Sequence, residues 1–155
     1  MSAAANANLM GITGIARRLV LDGAMDETAA RKAMDAATTA KVPLATYIAD
    51  KRLAIPAALA AAYSMEFGMP LVDPLTIDPS QSAVRLVKEE LVRKHQALPL
   101  FKRGGRLFVG LADPTDHAAL DEIKFHTNLA VEPVLIDAER LKRSIDGWLE
   151  AAEDL

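Results

Sequence analysis

The stretch KRGGRLFVGLADPTDHAALDEI, Lys102 to Ile123, decides the fold. Paired glycines between cations, then an apolar run and an acidic, histidine-bearing helix start, have the outline of a nucleotide site. A hairpin followed by a crossover helix explains the same residues with less. Ala97–Lys102 and Arg106–Ala112 are apolar runs of matched length. Between them, Gly104 and Gly105 supply the positive φ angles that a type I′ hairpin turn requires. Asp113-Pro114 then reads as a cap and first helical residue, opening a helix through Ala118, Leu120, Ile123 and Lys124 that ends near Asn128. A third strand is expected over Ala130–Ile136. Asp137 caps a last helix whose Leu141, Ile145, Trp148 and Leu149 share one face. Strand, helix, strand implies a parallel pair with right-handed crossover, so Arg106–Ala112 and Ala130–Ile136 lie side by side in a small mixed sheet with helices on at least one face.

Upstream, residues 68–79 (GMPLVDPLTIDP) carry three prolines and read as an extended connector. Asp78-Pro79 is expected to open a helix carrying Val84, Leu86 and Val87 and continuing or restarting through Leu91 and Val92. The order after residue 79 is therefore α-β-β-α-β-α. Before residue 68 alanine dominates, and apolar residues recur at helical spacing in four short segments: Ile15, Leu19 and Val20; Ala30, Ala33, Met34 and Ala37; Leu44, Tyr47 and Ile48; and Pro56 to Glu66. Sliding the chain by 29 residues lays Ile15, Ala16, Leu19 and Val20 over Leu44, Ala45, Ile48 and Ala49, and Ala29, Ala30, Ala33 and Met34 over Ala58, Leu59, Ala62 and Tyr63. This is a degenerate tandem repeat of a helical pair. The fold class is α+β: a flexible start at 1–10, an all-helical subdomain at 11–67, a linker at 68–79, and an α/β subdomain with a three-stranded sheet at 80–155.

The chain has 155 residues, 51% of them hydrophobic, sufficient for a buried core. Eighteen basic against 21 acidic residues give a net charge of -3, without the broad basic field that nucleic-acid binding demands. With no cysteine there are no disulfides and no thiolate metal sites, and a cytoplasmic setting is expected. Met1–Asn8 lacks the charged and apolar regions of a secretory signal and reads as a frayed start. The longest apolar run, Ala54–Tyr63, is far short of the roughly 20 residues a bilayer needs, so direct membrane insertion is not expected.

Asp113, Asp116, His117, Asp121 and Glu122 could be drawn as a metal cluster or a metal-assisted hydrolase. The simpler reading places Asp113 at a helix N-cap, Asp116 in the first turn, and His117 with Asp121 as a surface i,i+4 pair. His95 and His126 have no serine, cysteine or carboxylate at a motif spacing, and each reads as a surface or boundary residue. No Gly-Lys dipeptide occurs, so the phosphate-cradling P-loop is absent. The basic pairs Arg17-Arg18, Arg31-Lys32 and Lys51-Arg52 read first as solvated helix faces. Leu9, Met10 and Ile12 either dock on the core or form part of a partner surface.

The run VRKHQALPLFKRGGRLFVGLADPTDHAALDEIKFHTNLAVEPVL, Val92 to Leu135, resembles the N-terminal domain of the type II secretion and type IV pilus assembly ATPases. The upstream YSMEFGMPLVDPLTIDP, Tyr63 to Pro79, resembles the family's linker, and the pilus extension motors are the most similar members. The resemblance implies a non-catalytic regulatory domain with no cofactor of its own. ATP and magnesium would belong to a motor region outside these residues, and the whole protein would be a hexamer. It also implies that the helical half can hold two elements for cyclic di-GMP, each opening with Arg-Leu-Gly and closing with Gln. Here the first triplet falls on Gly14, Ile15 and Ala16 and closes on Ala37, and the second falls on Pro43, Leu44 and Ala45 and closes on Glu66. Neither element keeps its arginine, glycine or glutamine. The arginine matters because a guanidinium can fork onto phosphate and stack on a purine, the glycine because the backbone must approach closely.

The leading expectation is thus a protein-interaction module of a pilus motor, engaging a PilZ-domain adaptor or the inner-membrane platform through Leu9, Met10, Ile12, Arg17, Arg18, Lys51 and Arg52. The alternative is a cyclic di-GMP sensor that uses a degenerate site around Ile15, Arg17, Arg18, Leu44 and Glu66. Twitching motility is the process implied, with the domain cytoplasmic and peripheral to the inner membrane through its partners.

Overall fold

The alanine-rich half forms the four expected helices, α1 (Gly14–Leu21), α2 (Glu27–Ala40), α3 (Leu44–Asp50) and α4 (Pro56–Phe67). Ends are set by local chemistry. Asp26 caps α2 by accepting from the Ala29 N–H at 2.7 Å, and Pro56 sits in the first turn of α4, where its missing N–H costs nothing. The computed structural model describes residues 9–78 and 82–153, and the chain divides into two compact units, Met1–Gly68 and Met69–Leu155. The expected frayed start, Met1–Asn8, and the expected helix opening at Pro79 lie outside the described residues.

In the first unit Leu19, Ile48, Ala30, Ala33 and Ala62 are buried, as their spacing predicts. Ile12 is only 2% exposed. Of its two sequence readings, docking on the core is the one realised, so Ile12 leaves the partner-surface set because a β-branched side chain just before α1 packs inward.

The second unit follows the expected order, with differences of detail. Its elements are α5 (Glu89–His95), β1 (Leu98–Arg103), β2 (Arg106–Leu111), α6 (His117–Thr127), β3 (Ala130–Leu135) and α7 (Ala138–Glu153). β1 pairs antiparallel with β2, and β2 pairs parallel with β3, giving the order β1-β2-β3. Of the two alternatives for the helix expected from Pro79, the restart is the one realised, and its first described part is not α-helical. Val84–Leu86 is a single 3₁₀ turn, Val87 is extended, and α5 starts afresh. The break has a tertiary cause: the Ala83 N–H bonds the Leu100 carbonyl at 3.3 Å and the Ser82 hydroxyl bonds the Pro99 carbonyl at 3.2 Å, which holds this segment along the outer edge of β1.

The hairpin turn also differs. Gly104 has φ +57, whereas Gly105 is outside the left-handed region. One positive φ at the first central position is the pattern of a type II′ turn, which satisfies strand twist with a single glycine conformation.

Along β2, Leu107, Val109 and Leu111 are buried on one face, and Gly110 is buried on the other beneath Ile136. Both faces are covered, as expected where a parallel pair carries a crossover helix. The core joins Leu98, Leu100, Leu107, Val109, Ile123, Ile136, Leu141, Ile145 and Trp148 in one cluster, including the α7 face expected from its spacing. Fully burying each such aliphatic side chain stabilises by about 1.5–3 kcal/mol.

The proline-rich stretch expected as a connector is partly built into this sheet. The Leu135 N–H bonds the Pro70 carbonyl at 2.9 Å, and the Val72 N–H bonds the Leu135 carbonyl at 2.8 Å. Because the Ala130 and Ile136 N–H groups bond toward β2, the backbone N–H groups at odd-numbered positions of β3 point away from β2. Pro133 therefore sits where no ladder donor is needed, which is why this strand tolerates it.

Candidate functional site

The 29-residue repeat is present in the backbone, beyond the side-chain pattern. After α1 the Asp22 N–H bonds the Arg18 carbonyl (2.9 Å), Gly23 bonds Val20 (3.0 Å) and Ala24 bonds Leu19 (2.8 Å). After α3 the same three bonds recur 29 positions on: Lys51 to Tyr47 (3.0 Å), Arg52 to Ala49 (3.2 Å) and Leu53 to Ile48 (3.0 Å). Gly23 has φ +76 and its counterpart Arg52 has φ +54, an αL residue that ends each helix. Met25 and Ala54, equivalent in the repeat, are both buried below the turn, as are Leu19 and Ile48. Each element is thus a helix, a left-handed turn and a second helix.

At the positions that the resemblance assigns to the two elements, the side chains are small or apolar except at Glu66. At the first opening triplet Ile15 is half-exposed and Ala16 is fully buried, and the closing position, Ala37, is also buried. At the second, Leu44 and Ala45 are half-buried and the closing Glu66 is exposed. Ala16 and Ala37 therefore serve packing, where a larger side chain would have no room.

Of the sequence-derived cations, Arg17 is exposed and meets no carboxylate among the described residues, whereas Arg18 is half-buried with its guanidinium 3.8 Å from Asp22. The Arg18 Nε is buried without a hydrogen-bond partner. Arg31 is held by Glu27 at 3.2 Å, while Lys51 lies 6.0 Å from the Tyr47 ring centre and Arg52 is exposed. Arg17-Arg18 and Lys51-Arg52 do not occupy equivalent places: under the repeat, Lys51 and Arg52 correspond to Asp22 and Gly23. Leu9 is half-buried and Met10 is 81% exposed.

The acidic run 113–122 is dismantled into local roles. Asp116, rather than Asp113, caps α6, accepting from the Ala119 N–H at 3.1 Å. Asp113 is displaced from that role because its carboxylate accepts from the Thr115 N–H (2.8 Å) and hydroxyl (2.5 Å), an Asx turn that delays the helix by three residues. No hydrogen bond joins His117 to Asp121 among the described residues, and none of these groups gathers into a metal-ligand cluster there.

Glu122 instead meets His95, whose Nε2–H donates to it, with Lys94 at 3.6 Å. This carboxylate partner of His95 lies 27 residues away and has no local sequence signal. The His95 hydrogen bond, aided by the charge of Lys94, holds the Glu122 carboxyl below its ordinary value against the opposing effect of desolvation. His126 is exposed and meets the Phe125 ring edge-on. On the neighbouring surface Arg93 bonds both Glu89 and Asp146 at 3.0 Å, tying α5 to α7, and these bonds raise its pKa.

A tandem helical pair followed by an α-β-β-α-β-α unit is the α+β fold that the sequence resemblance implied. The family model described as the MshEN domain matches residues 67–154, and the chain belongs to that family. The type IV pilus assembly ATPase PilB of Pseudomonas aeruginosa is 34% identical over 143 residues, 92% of this chain and 25% of the relative. The PilB of Acinetobacter baylyi is 33% identical over 131 residues, 84% of this chain and 23% of the relative. The chain thus spans about a quarter of the length of these curated relatives. Among solved structures, the N-terminal domain of XpsE matches with a TM-score of 0.73 at 20% identity, covering 96% of this chain and 97% of that one. A structure of MshE with cdg matches with a TM-score of 0.69 at 19% identity, covering 88% and 99%. At these identities the likeness establishes the shared fold.

Proposed function

We infer that this chain is a non-catalytic N-terminal regulatory and protein-interaction domain of a type IV pilus extension ATPase, docking adaptor or inner-membrane platform proteins. The observation that carries the reading is the divergence of backbone and side chain in the tandem elements. The three turn bonds repeat to within 0.2 Å of one another, while Ala16, Ala37 and Ala45 stand where close-approach or hydrogen-bonding groups would face a ligand. A scaffold kept without its clamp still offers surface, and Met10, Ile55, Met65 and Phe67 are exposed on the helical unit. The domain would be cytoplasmic and reach the inner membrane only through partners. No helix among the described residues is long and apolar enough to cross a bilayer. The test is a titration of the purified chain with a PilZ-domain adaptor and with the cytoplasmic domain of the platform protein. Saturable binding to either supports the reading, and silence from both refutes it.

The second reading is a cyclic di-GMP sensor. It is favoured by the shared fold with MshE, solved with cdg, and by Arg17 and Arg18 next to the first opening triplet. Glu66 at the second closing position opposes it by repelling a phosphodiester. Calorimetry with cyclic di-GMP separates the two, since heat at micromolar concentration that vanishes on Arg17→Ala and Arg18→Ala would favour the sensor.

A further inference from the structure

In a chain of net charge -3, the β1–β2 turn concentrates Lys102, Arg103 and Arg106 around two glycines. Arg103 and Arg106 are directly paired across the ladder, where like charges destabilise a hairpin. Among the described residues one carboxylate answers them: Glu132 on β3 meets Arg106 at 3.2 Å. Arg103 meets none among the described residues. Its guanidinium lies 5.2 Å from the Phe101 ring centre, and Phe101 stacks on Phe108 with centroids 4.8 Å apart. A guanidinium set against an aromatic face loses little further freedom on binding, and its N–H fork stays open to a planar anion. Nothing lies within 4 Å of the space above Gly104 or Gly105, so another main chain can approach the turn.

We propose that this hairpin end, Lys102, Arg103 and Arg106 beside the Phe101–Phe108 stack, is a docking site for an acidic segment of a partner polypeptide. The site rests on the reading of this chain as an interaction domain and gives that reading a surface and a partner chemistry. Charge complementarity selects the occupant. Carboxylates fork onto guanidinium groups, and a flexible acidic segment can follow three cations around a turn. An anionic bilayer is a poorer match: the half-buried Phe101 and Phe108 are stacked on each other with Arg103 against Phe101, three cations alone are a weak anchor, and the remaining surface is net negative.

Isotope-edited NMR of the full chain, titrated with acetylated octaglutamate, tests the site. Chemical-shift changes are expected on the amides of residues 101–108 and 130–132, with binding weakened about tenfold by Arg103→Glu and abolished in high salt. Lys142→Ala on α7 should leave the titration unchanged. Shifts scattered over the surface, an unchanged midpoint in Arg103→Glu, or the same amides responding to phosphatidylglycerol vesicles and not to the peptide would each overturn the proposal. If Arg103→Glu leaves capture of the adaptor or platform domain intact, the hairpin site falls while the interaction reading stands.

Discussion

The two units solve the burial problem with different materials. In the helical unit alanine carries much of the core, through Ala16, Ala30, Ala33, Ala37, Ala54, Ala60 and Ala62. In the α/β unit the core is built from Leu, Ile and Val with Trp148, on both faces of a sheet. Small side chains let helices approach closely but bury little area each, so the first unit depends on a few large residues. In the tandem elements the turn hydrogen bonds recur 29 positions apart while most of the side chains differ.

The comparison breaks most readily at those few large residues. Leu19→Ala and Ile48→Ala, equivalent in the repeat and fully buried, should each cost about 2–5 kcal/mol. Thermal unfolding followed by amide exchange should then show the helical unit opening first, with the β2 and β3 amides still protected. Loss of protection in both units together would show them to be one cooperative block. In the α/β unit a smaller loss is expected from Gly110→Ala. The new Cβ would overlap Ile136 Cδ1 inside a packed core, costing about 1–3 kcal/mol by overpacking, read from the denaturant midpoint.

Helix caps give the next smaller effect and sharpen the repeat itself. Asp26 caps α2, while the equivalent residue before α4 is Ile55, which has no side-chain cap and is 69% exposed. Asp26→Ala should destabilise by about 1 kcal/mol, and Ile55→Asp should stabilise by a similar amount by offering its carboxylate to the Ala58 N–H. Equal melting temperatures for Ile55→Asp and the parent would mean that the two helix starts are not equivalent.

The smallest effect is electrostatic. Because the folded Glu122 carboxyl is held below its ordinary 4.5, its contribution is present above that pH and is lost as pH falls through the folded value. Glu122→Gln should therefore flatten the acid limb of the stability profile and leave the alkaline limb unchanged, as read from melting temperature against pH.

Much of this architecture is legible in the chain because its signals are local. Matched apolar runs around Gly104-Gly105 give the hairpin, Asp137 gives the start of α7, and spacing gives the buried face from Leu141 to Leu149. The departures arise where a non-local or competing partner wins. Ser82 and Ala83 are drawn to β1, which leaves Val84–Leu86 a 3₁₀ turn, and Thr115 captures Asp113 and passes the cap to Asp116. The candidate site is legible only as a pattern of missing groups. The repeat period exposes which positions differ from the arginine, glycine and glutamine that the resemblance implies, but no spacing rule announces that Ile12 turns inward, that His95 finds Glu122, or that Arg103 settles against Phe101.

Isothermal titration of cyclic di-GMP into the purified full chain tests the central claim most directly. An intact helical scaffold without its cations and close-approach residues should give no saturable heat at micromolar concentration. A saturable isotherm in that range, abolished by Arg17→Ala together with Arg18→Ala while the fold persists, would contradict it.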